Sequence, residues 1–298
     1  MAYHLVVCFD RLTGTPAPGA GSPEEPNRLR REPLPAVTAP ELHALEAALC
    51  VRDERSSRVT ALALGAVSSC DPLREALYRG ADDAVLVTDP RMAGSDSLAA
   101  GYILSCAIRK IGPDLVVCPA RTPGGDTASV GVQAAERAGM TPITAVDRPV
   151  SIDGGTVTAR RDTGAGWELV SALLPVLLTV TNAANTPRPP AMKRMMKYKR
   201  ARSRGEVESA LGVTTEKRPA RADAERLCAD LESQALLIRT WGLDDIGADA
   251  SKCGAAGSPT GIERIQTLAL SEGGTGVFES TDEGIARLVA ALLKDHTL

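Results

Sequence analysis

Residues 112–131 read GPDLVVCPARTPGGDTASVG. Leu115, Val116, Val117 and Cys118 form a continuous apolar run of strand length, which predicts a strand buried on both faces. Pro119, Pro123, Gly124 and Gly125 then punctuate a loop. A helical pattern begins at Asp126-Thr127 and runs through Val130, Ala134, Ala135 and Ala138. A strand, a small-residue loop and a helix start together make an anion site. The first helical N–H groups lack intrahelical partners, and the helix dipole adds partial positive charge there. Gly124 and Gly125 let the backbone approach a ligand. An ordinary turn with Asp126 as N-cap explains the same residues. The stretch is not a Walker A motif, since no Lys follows the turn, and it is not G-x-G-x-x-G.

The same alternation extends outward. Strands are expected at Tyr3–Cys8, Val59–Leu64, Ala84–Val87 and Val176–Val180, and helices at Ala39–Asp53, Asp71–Tyr78 and from Ser95 or Asp96 to Ile111. Continuously apolar strands alternating with helices predict an α/β fold with a parallel sheet covered on both faces. Ligands of such sheets sit beyond the carboxyl ends of the strands. Here those ends are Cys8–Arg11, Leu64–Ala66, Val87–Asp89 and Cys118–Asp126. After residue 147 the pattern changes. VSIDGGTVTARR alternates with period two about Asp153-Gly154-Gly155, a hairpin signal. Residues 12–36, 185–204 and 238–277 read as irregular, 218–237 as helical, and 281–294 as a terminal amphipathic helix with Ile285, Leu288, Val289 and Leu292.

Bulk properties narrow the function. At 298 residues the chain can bury a full core. A net charge of −3 with 3% aromatics speaks against nucleic-acid binding. No apolar run is long enough to span a bilayer, and no signal-peptide pattern is present, so a cytoplasmic location without direct membrane insertion is expected. Seven cysteines without a C-x-x-C pair suit a reducing compartment. Cys8 and Cys118 end strands at the expected site and read as structural thiols. Three scattered His make no metal site, and no hydrolytic constellation stands out.

Three ordered motifs resemble the beta subunit of electron transfer flavoproteins, including the FixA-like branch. VCPARTPGGDTASVG matches that family's LCGKQAIDGDTGQVG. NTPRPPAMKRMMKYKR at 185–200 matches its NEPRYxxLPxIMKAKKK. TGVFESTDEGIARLV at 275–289 matches TAGxxxxTxxDLxxxL. The chain departs from the pattern at Phe9-Asp10-Arg11, where a Lys becomes Asp, at Thr38-Ala39-Pro40-Glu41 for N-P-x-D, and at Ala120-Arg121 for Lys-Gln.

The resemblance implies a Rossmann-like adenine-nucleotide-binding domain over 1–184, and a partner loop with a C-terminal arm over 185–298. It implies an alpha subunit partner, an acyl-CoA-type or other dehydrogenase, and electron transfer to a downstream acceptor. The nucleotide is FAD or AMP. AGSDSLAAGYILSCAIRKI (93–111) and WGLDDIGADASKCGAAGSPT (241–260) look like the electron-bifurcating branch, which takes electrons from NADH, and so favour FAD. Ala128 after GDT also fits that branch, where other members often have Gly; Ala100 replaces one of its Thr residues.

The cofactor residues so implied are Cys8, Phe9, Asp10, Ala39, Pro40, Leu64, Gly65, Ala66, Asp96, Ser97, Pro119, Ala120, Arg121, Gly125, Asp126, Thr127, Ala128, Ser129 and Val130. The partner residues are Met192, Lys193, Arg194, Met195, Met196 and Lys197, with Met192 as apolar anchor. Seven basic residues and no acid between Lys193 and Arg204 also fit a solvated tail. A stand-alone adenine-nucleotide sensor of the same fold is the alternative function; a hydrolase acting on an adenylate is a third.

Overall fold

The computed structural model describes residues 2–11, 37–121, 128–148, 150–213, 218–260 and 277–294. The expected loop at 12–36 and the glycine turn at 122–127 lie outside the described residues. The chain divides into compact units Met1–Glu263 and Arg264–Leu298.

The first unit is a Rossmann-like α/β structure. Its parallel strands are β1 (His4–Asp10), β2 (Arg58–Leu64), β3 (Asp83–Val87) and β4 (Leu115–Pro119). An antiparallel region follows: β5 (Thr141–Val146), β6 (Ser151–Asp153), β7 (Thr156–Asp162) and β8 (Trp167–Leu173). The chain then returns to the parallel centre as β9 (Val176–Val180) and later adds β10 (Arg202–Ser203) and β11 (Leu237–Trp241). The sheet order is β10-β11-β3-β2-β1-β4-β9-β5-β7-β6, with β8 on β7. From β10 to β5 every pairing is parallel.

Side chains alternate along β1 and so serve two cores. Leu5, Val7 and Phe9 pack with α1 (Ala39–Arg55) and α2 (Cys70–Arg79). Val6 and Cys8 pack with α3 (Ser97–Ile111) and α4 (Val130–Ala138). The core strands are therefore buried at nearly every position, as strands of a doubly covered sheet must be. The caps follow local chemistry. Asp96 accepts from the Leu98 and Ala99 N–H groups at 3.0 and 2.9 Å and starts α3. Gly112 and Gly139 end α3 and α4 in the left-handed conformation. Asp71 lies in the first turn of α2, which starts one residue earlier at Cys70, rather than capping it.

Two stretches expected to be irregular are ordered. Residues 192–198 form α5 (Met192–Tyr198), followed by β10, α6 (Arg204–Ala210) and α7 (Arg218–Ser233). No side chain of α5 is fully buried, so it lacks the apolar periodicity that reveals a helix. β11 continues through Trp241 as a neighbour of β3. Its two-sided exposure breaks the alternation expected of a strand. β8 is an added edge strand with Trp167, Leu169 and Leu173 exposed on one face. In the second unit, α8 (Asp282–Lys294) carries Ile285, Leu288, Val289 and Leu292 at helical spacing. Among the described residues, no helix is long and apolar enough to cross a membrane.

Candidate functional site

β1 lies between β2 and β4, and the connections leave it in opposite directions. That is a topological switch point, where the carboxyl ends of adjacent strands part and leave a crevice. A cleft opens there. Cys8 and Asp10 from β1, Cys118 and Pro119 from β4, and Leu104 from α3 line it, with Ala128, Val130 and Gly131 from the start of α4.

Each wall has a local reason. The β1–β4 register pairs Val7 with Val117, which sets Cys8 beside Cys118. The Cys8 thiol is pushed well above the usual range by its hydrogen bond to Cys118, by burial and by the nearby Asp10 carboxylate. A raised thiol disfavours the thiolate that a reactive cysteine needs. Gly131 sits over Cys118, and a Cβ there would lie 3.2 Å from both its Cβ and its Sγ. The missing side chain lets α4 press onto β4. Ala128 holds φ at 47°, a left-handed conformation that costs a non-glycine residue on the order of 1 kcal/mol. Such strain collects at functional turns. Ser129 takes the N-cap position without a side-chain capping bond. Among the described residues, no side chain caps the first amides of α4.

The rim is polar. Glu41 Oε2 accepts from Arg11 Nη2 at 2.8 Å, from the Thr38 amide at 2.8 Å and from the Thr38 hydroxyl at 2.7 Å. Burial raises its carboxyl above the usual range, against the pull of Arg11 and Thr38. Its other oxygen has no hydrogen-bond partner among the described residues. Gly65 follows β2 at φ 153°, where a Cβ would collide with Ser69 Oγ.

The cleft gathers Cys8, Asp10, Pro119, Ala128 and Val130 of the expected cofactor residues. Phe9 points to the opposite face and packs in the α1–α2 core, so only its backbone is near. Leu64 is buried against the Cys8 side of the sheet, and Ala120 donates its N–H to Val180 O at 2.8 Å. Ala39 and Pro40 begin α1. Gly125, Asp126 and Thr127 lie outside the described residues, and Arg121 precedes them. Asp96 does not line the cleft. Its Oδ1 caps α3, its Oδ2 accepts from the Thr260 N–H at 3.2 Å, and its amide donates to Ser258 Oγ at 2.8 Å. Ser97 follows as the first residue of α3. Sequence reading missed Leu104 and Gly131 as lining residues and placed Cys118 at the site as a structural thiol. Cys118 was legible as the counterpart of Cys8 at a strand end, and Gly131 as a small residue in a first helical turn. Among the described residues no group of three or more His, Cys, Asp or Glu could hold a metal ion.

Residues 36–209 match the electron transfer flavoprotein domain family. The chain is 35% identical to protein FixA of Azorhizobium caulinodans over 303 residues, covering 98% of this chain and 94% of that one. The chain belongs to the electron transfer flavoprotein family. It is also 30% identical to the electron transfer flavoprotein subunit beta of Clostridium acetobutylicum, over 98% of this chain and 99% of that one. The subunit beta of Megasphaera elsdenii is 32% identical over 78% and 76% of the two chains. Within the family, this chain is similar to the beta subunits and FixA proteins.

The matched span of this electron transfer flavoprotein includes the segment that holds α5. Two arginines fasten that segment. Arg188 Nε donates to Glu46 Oε2 at 2.8 Å and its Nη1 to Asp53 Oδ2 at 2.8 Å, tying the segment to α1. Arg194 Nε donates to Leu77 O at 2.6 Å, and Nη2 to Ala81 O, gripping the carboxyl end of α2. A cation there is favoured by the helix dipole. Arg194 thus points inward, whereas Met192 is 71% and Met196 57% exposed. Lys193 and Lys197 are exposed beside them, and Met195 is half-buried. α2 runs from the carboxyl end of β2 back to the start of β3, so α5 sits at the amino edge of the sheet. The cleft is at the opposite edge.

Proposed function

We propose that this chain is the beta subunit of a heterodimeric electron transfer flavoprotein, holding an adenine nucleotide in the β1–β4 cleft. The observation that carries the reading is the cleft itself: a crevice at the switch point, bounded by the start of α4, where Ala128 is strained and Ser129 makes no side-chain cap. The α4 amides would take the phosphate charge, helped by the Ser129 hydroxyl. Each charge-assisted bond is worth about 1.5–3 kcal/mol. Thr127 and Gly125 join that role by sequence. Pro119 and the Cys8–Cys118 floor would pack against the rest of the nucleotide. The residues present fit such a group: apart from Asp10 the walls are apolar, and a Cβ at Gly131 would crowd Cys118 at 3.2 Å.

FAD is the nucleotide this reading favours over AMP. Support comes from residues 253–260, which close on the start of α3 through Gly254, Ser258 and Thr260. Bound FAD supplies one- and two-electron redox chemistry; the chain positions it and excludes water. The subunit then passes electrons between a dehydrogenase and a downstream acceptor, together with an alpha subunit. NADH becomes a suitable two-electron donor when this subunit carries its own flavin, as in electron bifurcation. The basic, methionine-bearing α5 docks the dehydrogenase. The seven unbridged cysteines suit a cytoplasmic protein.

The test is an absorbance spectrum and released-nucleotide assay on the purified complex. Two flavins per heterodimer are expected. One flavin with one AMP would overturn FAD and keep the nucleotide site. A lone chain retaining nucleotide without a flavin-bearing partner would instead favour a sensor.

A further inference from the structure

α1 packs Ala44, Leu45, Ala48 and Leu49 into the core. His43, Glu46, Cys50 and Asp53 recur at spacings of three and four, so they share another side of the helix. Residues 185–188 are bonded to that side. Asn185 Nδ2 donates to His43 O at 2.9 Å, and its Oδ1 pairs with His43 Nδ1 at 3.1 Å. Glu46 is only 6% exposed, and accepts from the Arg188 amide at 3.0 Å, from Nε at 2.8 Å and from Nη2 at 2.9 Å. Pro187, Pro189 and Pro190 have no N–H to give. The amides left between residues 187 and 191 are those of Arg188 and Ala191, and the second donates to Tyr78 O at 3.0 Å. The segment therefore takes its path from α1 and α2 rather than from bonds of its own. α5 begins at the next residue. A buried carboxylate–guanidinium pair adds little net stability, since well-packed apolar side chains of similar volume do as well. What it adds is direction, because the Arg fork meets a carboxylate in one geometry.

We propose that Glu46 is a positioning residue for partner docking, which holds α5 in its docking pose through Arg188. The proposal rests on the docking reading of α5 above. A helix already in its pose has less freedom to lose when a partner binds, and association needs no prior rearrangement.

The sign of the effect separates this role from charge. Glu46→Gln removes a negative charge beside a basic helix, so steering alone would speed association with an acidic partner. Loss of the mount slows it. The experiment is stopped-flow reduction of the full-length complex, holding its nucleotide, by a substrate-reduced dehydrogenase that reduces wild type. Glu46→Gln is expected to lower the second-order rate about fivefold while the rate at saturating donor and the bound nucleotide stay unchanged. Met192→Ala is expected to slow association less in the Glu46→Gln background than in wild type, because both changes act through α5. Asn185→Ala breaks the His43 end without a charge change. It carries the same expectation and decides where Glu46→Gln fails to fold. Unchanged or faster association in the mount variants, beside a slowed Met192→Ala, would overturn the proposal and leave the docking reading standing. So would a slowing that adds in full to that of Met192→Ala. Wild-type rates in the mount variants and Met192→Ala alike would overturn docking by α5 and its mount together.

Discussion

Ala128 carries its left-handed φ of 47° without being a glycine. Gly at this position removes the Cβ clash, while its extra freedom in the unfolded chain costs about 0.4–1 kcal/mol. Ala128→Gly is therefore expected to shift urea stability by less than about 1 kcal/mol. Ala128→Val, β-branched at positive φ, is expected to destabilise by about 1–3 kcal/mol and to lower nucleotide retention. Gly131→Val places a branched side chain where even a Cβ lies 3.2 Å from Cys118. An overpacking cost of about 1–3 kcal/mol should appear in the same melts, with loss of nucleotide. Equal stability of Gly131→Val and wild type would show that α4 does not press onto β4.

Two buried glutamates respond to pH with opposite signs. Burial raises Glu41 above the usual carboxylate range, outweighing Arg11. Its proton is held more tightly in the folded state, so stability falls as pH rises from its unfolded value through its folded one. Burial also pushes Glu46 up, but its bonds from Arg188 win and hold it below the usual range. Its contribution is present above the unfolded value, near pH 4.3, and is lost as pH falls through the folded one. Urea midpoints from pH 3 to 8 check both. Glu41→Gln should flatten the decline above pH 4.5, and Glu46→Gln should remove part of the acid-side loss.

At the scale of elements, α5 shows how a surface helix escapes periodicity. Its spacing is basic and methionine-rich rather than amphipathic, and its position is set by Arg188 and Arg194 gripping α1 and α2. Arg188→Ala leaves Glu46 buried without its cation and is expected to cost about 2 kcal/mol in melts. Met192→Ala and Met196→Ala remove exposed side chains, so melting should not move. If α5 docks the dehydrogenase, each should weaken that association by about 1–3 kcal/mol in stopped-flow transfer assays. Reversing Lys193 and Lys197 should slow association, and added salt should shrink the effect. Unchanged transfer in all four variants would remove α5 from docking. Arg194 was legible in sequence only as one more charge of the run. Its inward turn depends on the carboxyl end of α2, more than a hundred residues away in the chain.

At the scale of the whole molecule, the cleft and α5 lie at opposite edges of one sheet. A variant at either site should leave the other intact. Met192→Ala should retain its nucleotide, and Gly131→Val, where folded, should keep α5 protected from hydrogen exchange. Simultaneous loss at both edges would show that the sheet does not insulate them. The sequence by itself determined the alternation of strands and helices, because burial on two faces demands strands that are apolar at nearly every position. It also determined the caps at Asp96, Gly112 and Gly139, which are local chemistry. Its three spaced motifs carried the family. Only the tertiary structure decided which strand ends meet. Cys8 and Cys118 are 110 residues apart in number, and the parallel register of β1 and β4 makes them neighbours. It also decided that Phe9 faces away while Asp10 closes the cleft, that Leu104 reaches in from α3, and that Asp96 is spent on a cap. Each of these follows from the strand order and from the direction in which a helix packs, and such long-range geometry leaves no local trace in composition or spacing.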